Sequence, residues 1–252
     1  MIGVHVTVPI ACWRRGKARE YLETEMLPPP STCYGFLLSL VGETDRRTHV
    51  GARVTVAMIT REPQMSVVLR TVWRCKDKNY WIDPNGKHHV VSTTKKERKA
   101  FLAWVAEQQW DEPGFNIGQG AGTNARPDYQ QLLTGSELVI WLDSTDEHGN
   151  ANRSTLEQRV QTALDPNARS QIDRFGGLSL GESTHLIDEV KPFAPQDLDG
   201  ECFVVNQQGR LTLPVWVDHV GSAGTRFTTG DIELRKLLPP KPMELPQINP
   251  PE

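Results

Sequence analysis

Cysteine is scarce and scattered in this chain. Cys12, Cys33, Cys75 and Cys202 stand far apart and form no CxxC pair. That excludes the usual zinc-finger spacings and leaves reduced thiols as the simplest reading. Long apolar runs are also missing: none approaches the roughly 20 residues of a membrane-spanning helix. The start shows no apolar segment behind a basic one, so no secretory leader is expected. A cytoplasmic location with no membrane partner follows as the expectation. No internal repeat is found, and no metal or other cofactor is called for. What the chain does have is 38% hydrophobic and 23% charged residues over 252 positions. Such a balance belongs to a folded chain with a sizeable core, not to a disordered one.

The net charge of -3 conceals an asymmetry. Residues 1–110 hold 17 Lys and Arg against 10 Asp and Glu, whereas residues 111–252 hold 11 against 21. A basic half joined to an acidic half points to two surfaces with different partners, or to segregation on solvated faces. The basic half is compatible with a local nucleic-acid footprint.

Residues 2–10 alternate apolar and other side chains and predict a strand. It runs into Trp13, Arg14 and Arg15, and the first 19 residues carry four cations and no carboxylate. Trp13 beside two arginines offers a stacking face next to phosphate-binding charge, or else covers a core edge. Pro28, Pro29 and Pro30 then precede a short apolar helix, with Ser31 or Thr32 as cap and Gly42 as stop. Its N-terminus, near Tyr34, suits a phosphate. Residues 51–61 and 65–74 read as a hairpin punctuated by Arg53, Arg61, Arg70 and Arg74. This β-α-β-β run is the start of a ferredoxin-like arrangement.

Residues 76–128 break the pattern and read as an insertion projecting from the sheet. A turn is expected at Asp83-Pro84-Asn85-Gly86. A helix is expected from Thr93 to Trp110, capped by Thr93 or Thr94. Lys95, Lys96, Arg98 and Lys99 in its first turns oppose the helix dipole unless an anion is near. Gly114, Gly118, Gly120 and Gly122 suggest a segment that stays mobile until something orders it. Order returns at Arg126 in RPDYQQLL, then in the strand Glu137 to Asp143. A helical pattern from Thr155 to Ile172 is interrupted at Pro166.

The stretch RFGGLSLGESTHLIDEV, Arg174 to Val190, follows directly. Gly176, Gly177 and Gly181 bracket small and hydroxyl residues, among them Ser179 and Ser183, with Arg174 in front. Two readings fit. One is a helix stop and tight turn capped by Gly176. The other is a loop that aims backbone N–H groups at a phosphate. A strand from His185 to Val190 follows, then strand-like runs from Glu201 to Leu238. The tail from Pro239 holds six prolines and is expected to be extended and poorly packed.

The blocks VPIACWR, PPPSTCYGFLLSLVG, RPDYQQLL and RFGGLSLGESTHLIDEV together resemble the Cas "five" family, RAMP-superfamily subunits of type I CRISPR surveillance complexes (Cascade), with the DevS-like branch nearest. The resemblance spans residue 2 to about 235. It implies an α+β fold: a ferredoxin-like or RRM-like domain over 1–190, a projecting thumb at about 76–128, a β-rich part at 191–238, and the Pro-rich tail. It also implies a non-catalytic subunit that holds the 5′ handle of the guide RNA, caps the backbone filament, and touches the backbone subunit and the large subunit, with target DNA nearby. The expected RNA-binding residues are Trp13, Arg14, Arg15, Ser31, Thr32, Tyr34, Arg53, Lys95, Lys96, Arg126, Arg174, Gly176, Gly177, Ser179 and Ser183.

Two rivals stand beside this reading. Some relatives cut precursor guide RNA with tyrosine, lysine and histidine and no metal. Lys87, His88, His89 and Tyr34 offer those residue types, although Lys87-His88-His89 follows an Asn-Gly turn and is expected on an exposed hairpin. Ser183 and His185 point the same way from one strand but form no triad. The third reading is a generic RRM-like RNA binder, against which stands the lack of an aromatic RNP-type strand motif.

Overall fold

The computed structural model describes residues 1–16, 21–59, 63–91, 95–111, 116–148, 153–195, 197–218 and 223–251; the side chains of 71–80, 90–91, 95 and 116–126 lie outside the description. The elements are β1 (Ile2–Ala11), β2 (Tyr21–Leu22), α1 (Pro30–Leu40), β3 (Arg53–Met58), β4 (Gln64–Ile82), β5 (His88–Val91), α2 (Lys95–Glu107), β6 (Asn116–Asp143), α3 (Leu156–Leu164), β7 (Glu189–Pro192), β8 (Asp199–Val205), β9 (Leu211–Trp216) and β10 (Arg226–Lys236). The fold is α+β, with a large antiparallel sheet and three helices among the described residues. The chain separates into two compact units, Met1–Val68 with Gln130–Glu252, and Leu69–Tyr129.

In the larger unit β1 lies between β7 and β6, and β6 between β1 and β3. Val4, Val6 and Val8 of β1 face Ile140, Leu138 and Ser136 of β6 and point into the core. The spatial order is therefore β7-β1-β6-β3, extended through β8 to β10 and β9. The hairpin expected between residues 51–61 and 65–74 does not form. The strand holding ELVIWLD takes the place beside β3, pairing Val54 with Leu142 and Val56 with Ile140. An uninterrupted apolar strand buried on both faces competes for the central position better than the exposed Met65-Val67-Leu69 stripe of β4. β4 takes up where β3 stops: Ile59 donates its N–H to the Glu137 carbonyl, and Thr134 its hydroxyl to Gln64.

Helices α1 and α3 pack on one face of this sheet. Leu37, Cys33, Leu156 and Val160 are fully buried there among the β1, β3 and β6 valines and leucines. α3 is shorter than the predicted Thr155–Ile172 helix. Thr155 caps it through a box with Gln158, and it ends at Leu164 before Pro166, leaving a separate 3-10 turn at Arg169–Gln171. Trp141 and Phe193 meet edge to face on the opposite face, beside Val139 and Leu245.

The tail corrects another expectation. Leu245 and Ile248 are buried, and the segment runs along the start of β3: Ile248 exchanges backbone bonds with Gly51 and Ala52, and Val54 donates to the Pro246 carbonyl. The prolines are spaced so that Leu245 and Ile248 still reach the core, and the β3 edge supplies donors that proline need not match.

The smaller unit has its own aromatic cluster. Trp81 stands 5.7 Å from His89 and 5.8 Å from Phe101, and Trp104 lies 5.1 Å from His89 and 5.6 Å from Trp110, between ring centroids. The expected Asp83–Gly86 turn closes β4 onto β5. Asp83 accepts the N–H groups of Asn85 and Lys87, and its other oxygen lies 2.8 Å from His89 Nε2. Among the described residues α2 spans Lys95–Glu107 and stops short of Trp110, while the expected caps Thr93 and Thr94 lie outside the described residues. Gly118, Gly120 and Gly122, expected in a mobile segment, fall within β6.

Candidate nucleic-acid interface

The glycine-containing stretch and the first helix come together. A groove of about 350 Å³ is lined by Ser31, Thr32, Gly35 and Ser39 of α1, by Ser179 and Gly181, by Arg46 with Trp216 and Val217 at the end of β9, and by the apolar side chains of Tyr34, Phe36, Leu38 and Val215. Seven α1 side chains face the core, leaving Gly35 and Ser39 exposed on the helix's outer face. A Cβ on Gly35 would meet nothing within 4 Å, so the missing side chain opens the groove floor. Arg46 lays its guanidinium over the Trp216 ring at 4.2 Å, and donates to the Val217 carbonyl, which holds a cation at the groove wall.

The glycine segment is fastened at both ends to the layer beneath it. At one end Gly42 closes α1 in a Schellman arrangement, with Gly42 donating to Ser39 and Glu43 to Leu38. Its φ is +69°, and a Cβ there would run into the Asp173 carbonyl. At the other end the buried Trp13 ring donates its indole N–H to Leu180 at 3.2 Å, and Gly181 sits against Cys12 and Trp13. Between these anchors the segment is a narrow excursion, with Ile187 donating to the Leu178 carbonyl and Ser179 bridging to Leu186. Leu178 and Leu180 are buried; Arg174, Phe175, Gly176 and Gly177 are exposed. The strand predicted at His185–Val190 is reduced to β7, Glu189–Pro192.

A charged network braces the far end of α1. His49 is fully buried, with Nδ1 2.5 Å from Glu147 and Nε2 3.2 Å from Arg159 Nη1. Arg159 also binds Glu43 at 2.7 Å and the Val41 carbonyl at 2.8 Å. Burial pushes Glu147 toward neutrality, but hydrogen bonds from His49, the Leu156 N–H and Ser144 outweigh it and hold the carboxyl below its usual range. Glu43 is likewise held low: burial opposes it, and the Asp45 N–H and Arg159 prevail.

The predicted site residues separate into four groups. Ser31, Thr32 and Ser179 line the groove, although Ser31 and Thr32 do not cap α1: Pro29 holds the cap position and Pro30 opens the helix. Arg174, Gly176, Gly177 and Ser183 are exposed on the glycine segment, with Arg174 donating to the Gly176 carbonyl at 3.1 Å. Arg14 and Arg15 are exposed directly after Trp13, Arg15 reaching to 3.7 Å from Glu25. The remaining residues form the fourth group. Tyr34 also lines the groove, but at 3% exposure its ring is largely covered, and Trp13 is 1% exposed; the Tyr34 hydroxyl donates to the Arg46 carbonyl, and burial pushes it well above the usual phenol value. Arg53 is spent on Asp146 at 2.9 Å, beside the tail. Lys96 is exposed on α2 of the smaller unit, and the side chains of Lys95 and Arg126 lie outside the described residues.

Gly35, Arg46 and Phe175 escaped the sequence reading. A glycine inside an apolar helix pattern was a usable signal for Gly35; Arg46 had none. Among the described residues no group of His, Cys, Asp and Glu is arranged to hold a metal, and no helix is long and apolar enough to cross a membrane.

A CRISPR-associated protein Cas5 of Myxococcus xanthus (strain DK1622) is 41% identical over 250 residues, covering 98% of this chain and 97% of the relative. The chain belongs to the Cas5 family. No family model matches the sequence. Two solved structures resemble it at low identity. A "CRISPR RNA-guided surveillance complex" chain matches at TM-score 0.49 and 11% identity, over 93% of this chain and 90% of that one. A "Crystal structure of Cas protein" matches at TM-score 0.44 and 13% identity, over 98% and 97%. Within this Cas5 chain, the groove joins the two blocks that carried the resemblance in sequence, residues 28–42 and 174–190.

Proposed function

We propose that this Cas5-family chain is a non-catalytic subunit of a type I CRISPR surveillance complex, and that it seats the 5′ handle of the guide RNA along the α1–glycine segment groove. The observation that carries this reading is the convergence of Ser31 and Thr32 in the first turn of α1, Ser179 and Gly181, and the Arg46 guanidinium on one open groove. Hydroxyls, a helix start and an oriented cation suit a phosphodiester, beside the apolar groove residues Tyr34, Phe36, Leu38 and Val215. Arg14 and Arg15, directly after Trp13, and Arg174, on the glycine segment, are exposed and add charge. The order β7-β1-β6-β3, connected as β-α-β-β-α-β through α1 and α3, supports a ferredoxin-like core, with Leu69–Tyr129 inserted as a separate compact unit in the place of the expected thumb. Backbone and large subunits are the protein partners of this reading. Binding without cleavage is favoured by Tyr34, whose hydroxyl is buried and bonded within the fold, and by His89, whose ring is held by Asp83.

Gly35→Glu tests the groove. Position 35 is exposed and unobstructed, and glutamate is a better helix former than glycine, so the fold should stand. The carboxylate should abolish guide retention in the assembled complex, while Gly35→Ala retains it. Full guide occupancy with Gly35→Glu would reject the groove as the RNA seat.

A further inference from the structure

Phe175 is the most exposed large apolar side chain in the described chain, at 103% of its reference accessibility. An aromatic ring held wholly in water gains nothing for the fold, and its surroundings are not those of a frayed end. Two residues before it the Asp173 carbonyl is pressed against Gly42; a few residues after it Leu178 and Leu180 are buried, and Trp13 pins the Leu180 carbonyl. The tip itself is stiffened where Arg174 donates to the Gly176 carbonyl at 3.1 Å. Gly176 has φ +86°, and a Cβ there would meet nothing within 4 Å, so the space beside the ring is open. The ring is presented, not merely uncovered.

We infer that Phe175 is a base-stacking residue for a single-stranded RNA whose backbone lies in the groove that Ser179 of the same segment lines. This rests on the RNA reading above and adds a residue and a contact to it. The neighbourhood selects the occupant. Arg174 adjoins the ring, Gly177, Ser179 and Ser183 follow within the same segment, and Ser179 lines the groove with Ser31, Thr32 and Arg46. A protein-docking anchor is ordinarily ringed by other apolar residues. On this segment the other exposed large apolar side chain is Leu186, which lies against Gly177. A base, by contrast, needs one flat apolar face beside polar groups for its phosphate and sugar, and every base can use it.

The test measures binding of a short single-stranded RNA of the CRISPR repeat's 5′ portion to the full chain, with Phe175→Ala, Phe175→Leu and Phe175→Trp, and with RNAs made abasic at one position at a time. Phe175→Ala and Phe175→Leu should each weaken binding about tenfold, and Phe175→Trp should hold it. One abasic RNA should bind the wild type about tenfold more weakly, with no further loss in Phe175→Ala. A 2-aminopurine at that position should be quenched by the wild type and not by Phe175→Ala. Unchanged affinity in Phe175→Ala, with Gly35→Glu abolishing binding, would overturn the stacking role and leave the groove standing. Additive losses from Phe175→Ala and every abasic RNA would also overturn it. Failure of wild type and Gly35→Ala alike to bind would overturn both readings. Retention in Phe175→Leu with loss in Phe175→Ala would mark an apolar protein contact instead, and would refute stacking.

Discussion

Trp13 and Phe175 both belong to the glycine segment's surroundings and face opposite fates. Trp13 is sealed beneath the glycine segment and bonded to Leu180, whereas Phe175 stands at that segment's tip with no cover. Both are large aromatic rings next to arginine in sequence, so local composition does not separate them. What does is the layer each belongs to. Trp13 continues β1 into the core, and Phe175 lies past the point where Asp173 leaves the Gly42 turn. The seam therefore carries stability and the tip carries contact. Substitutions should lose their effect on stability, and gain effect on binding, as they move from one to the other.

The steepest consequence belongs to Trp13→Ala. Removing a buried ring with its hydrogen bond should cost about 3–5 kcal/mol in chemical denaturation, and any RNA defect should scale with unfolding. Gly42→Val should follow at about 3 kcal/mol, because a β-branched residue is strained at positive φ and its Cβ meets the Asp173 carbonyl. A mild effect there would show that the anchor yields.

Glu147→Gln should cost about 2 kcal/mol by weakening the bond to buried His49. This position also supplies a pH test. Glu147 and Glu43 are held below the usual carboxylate range in the fold, so their contribution is fully present at neutral pH and is lost as pH falls through and below that range. Thermal melts of the wild type should decline on acidification, and Glu147→Gln should flatten that decline. An unchanged slope would remove Glu147 from the account.

Nearer the tip, Gly176→Ala should cost about 1 kcal/mol from its left-handed backbone alone, since nothing crowds a Cβ there. Phe175→Ala should leave the denaturation midpoint within about 0.5 kcal/mol of wild type while weakening RNA binding. A large loss of stability there would erase the contrast between seam and tip.

Several features were legible in the residues because they are local. The strand of Val4, Val6 and Val8 follows from alternation. A helix directly after the three prolines, and its stop at Gly42, follow from proline geometry and a glycine stop, although its cap is Pro29 and not Ser31 or Thr32. The turn at Asp83–Gly86 follows from its side chains. The partner of β3 was not legible, because both ELVIWLD and the β4 run could pair with it. Choosing between them required the whole core to be assembled. The role of the tail was hidden as well, since its prolines signal extension without saying which strand edge awaits them.

By itself the sequence determined the alternating apolar stripes, the helix start at Thr155 and the helix stop at Gly42, and the two blocks that carry the Cas5-family resemblance. Only tertiary structure decided which aromatic rings were buried, which arginines were occupied by carboxylates, and that Ser31 and Ser179 share one groove. The reason is physical: a stripe or a cap is fixed by residues a few positions apart, whereas exposure and convergence depend on which distant segments pack together.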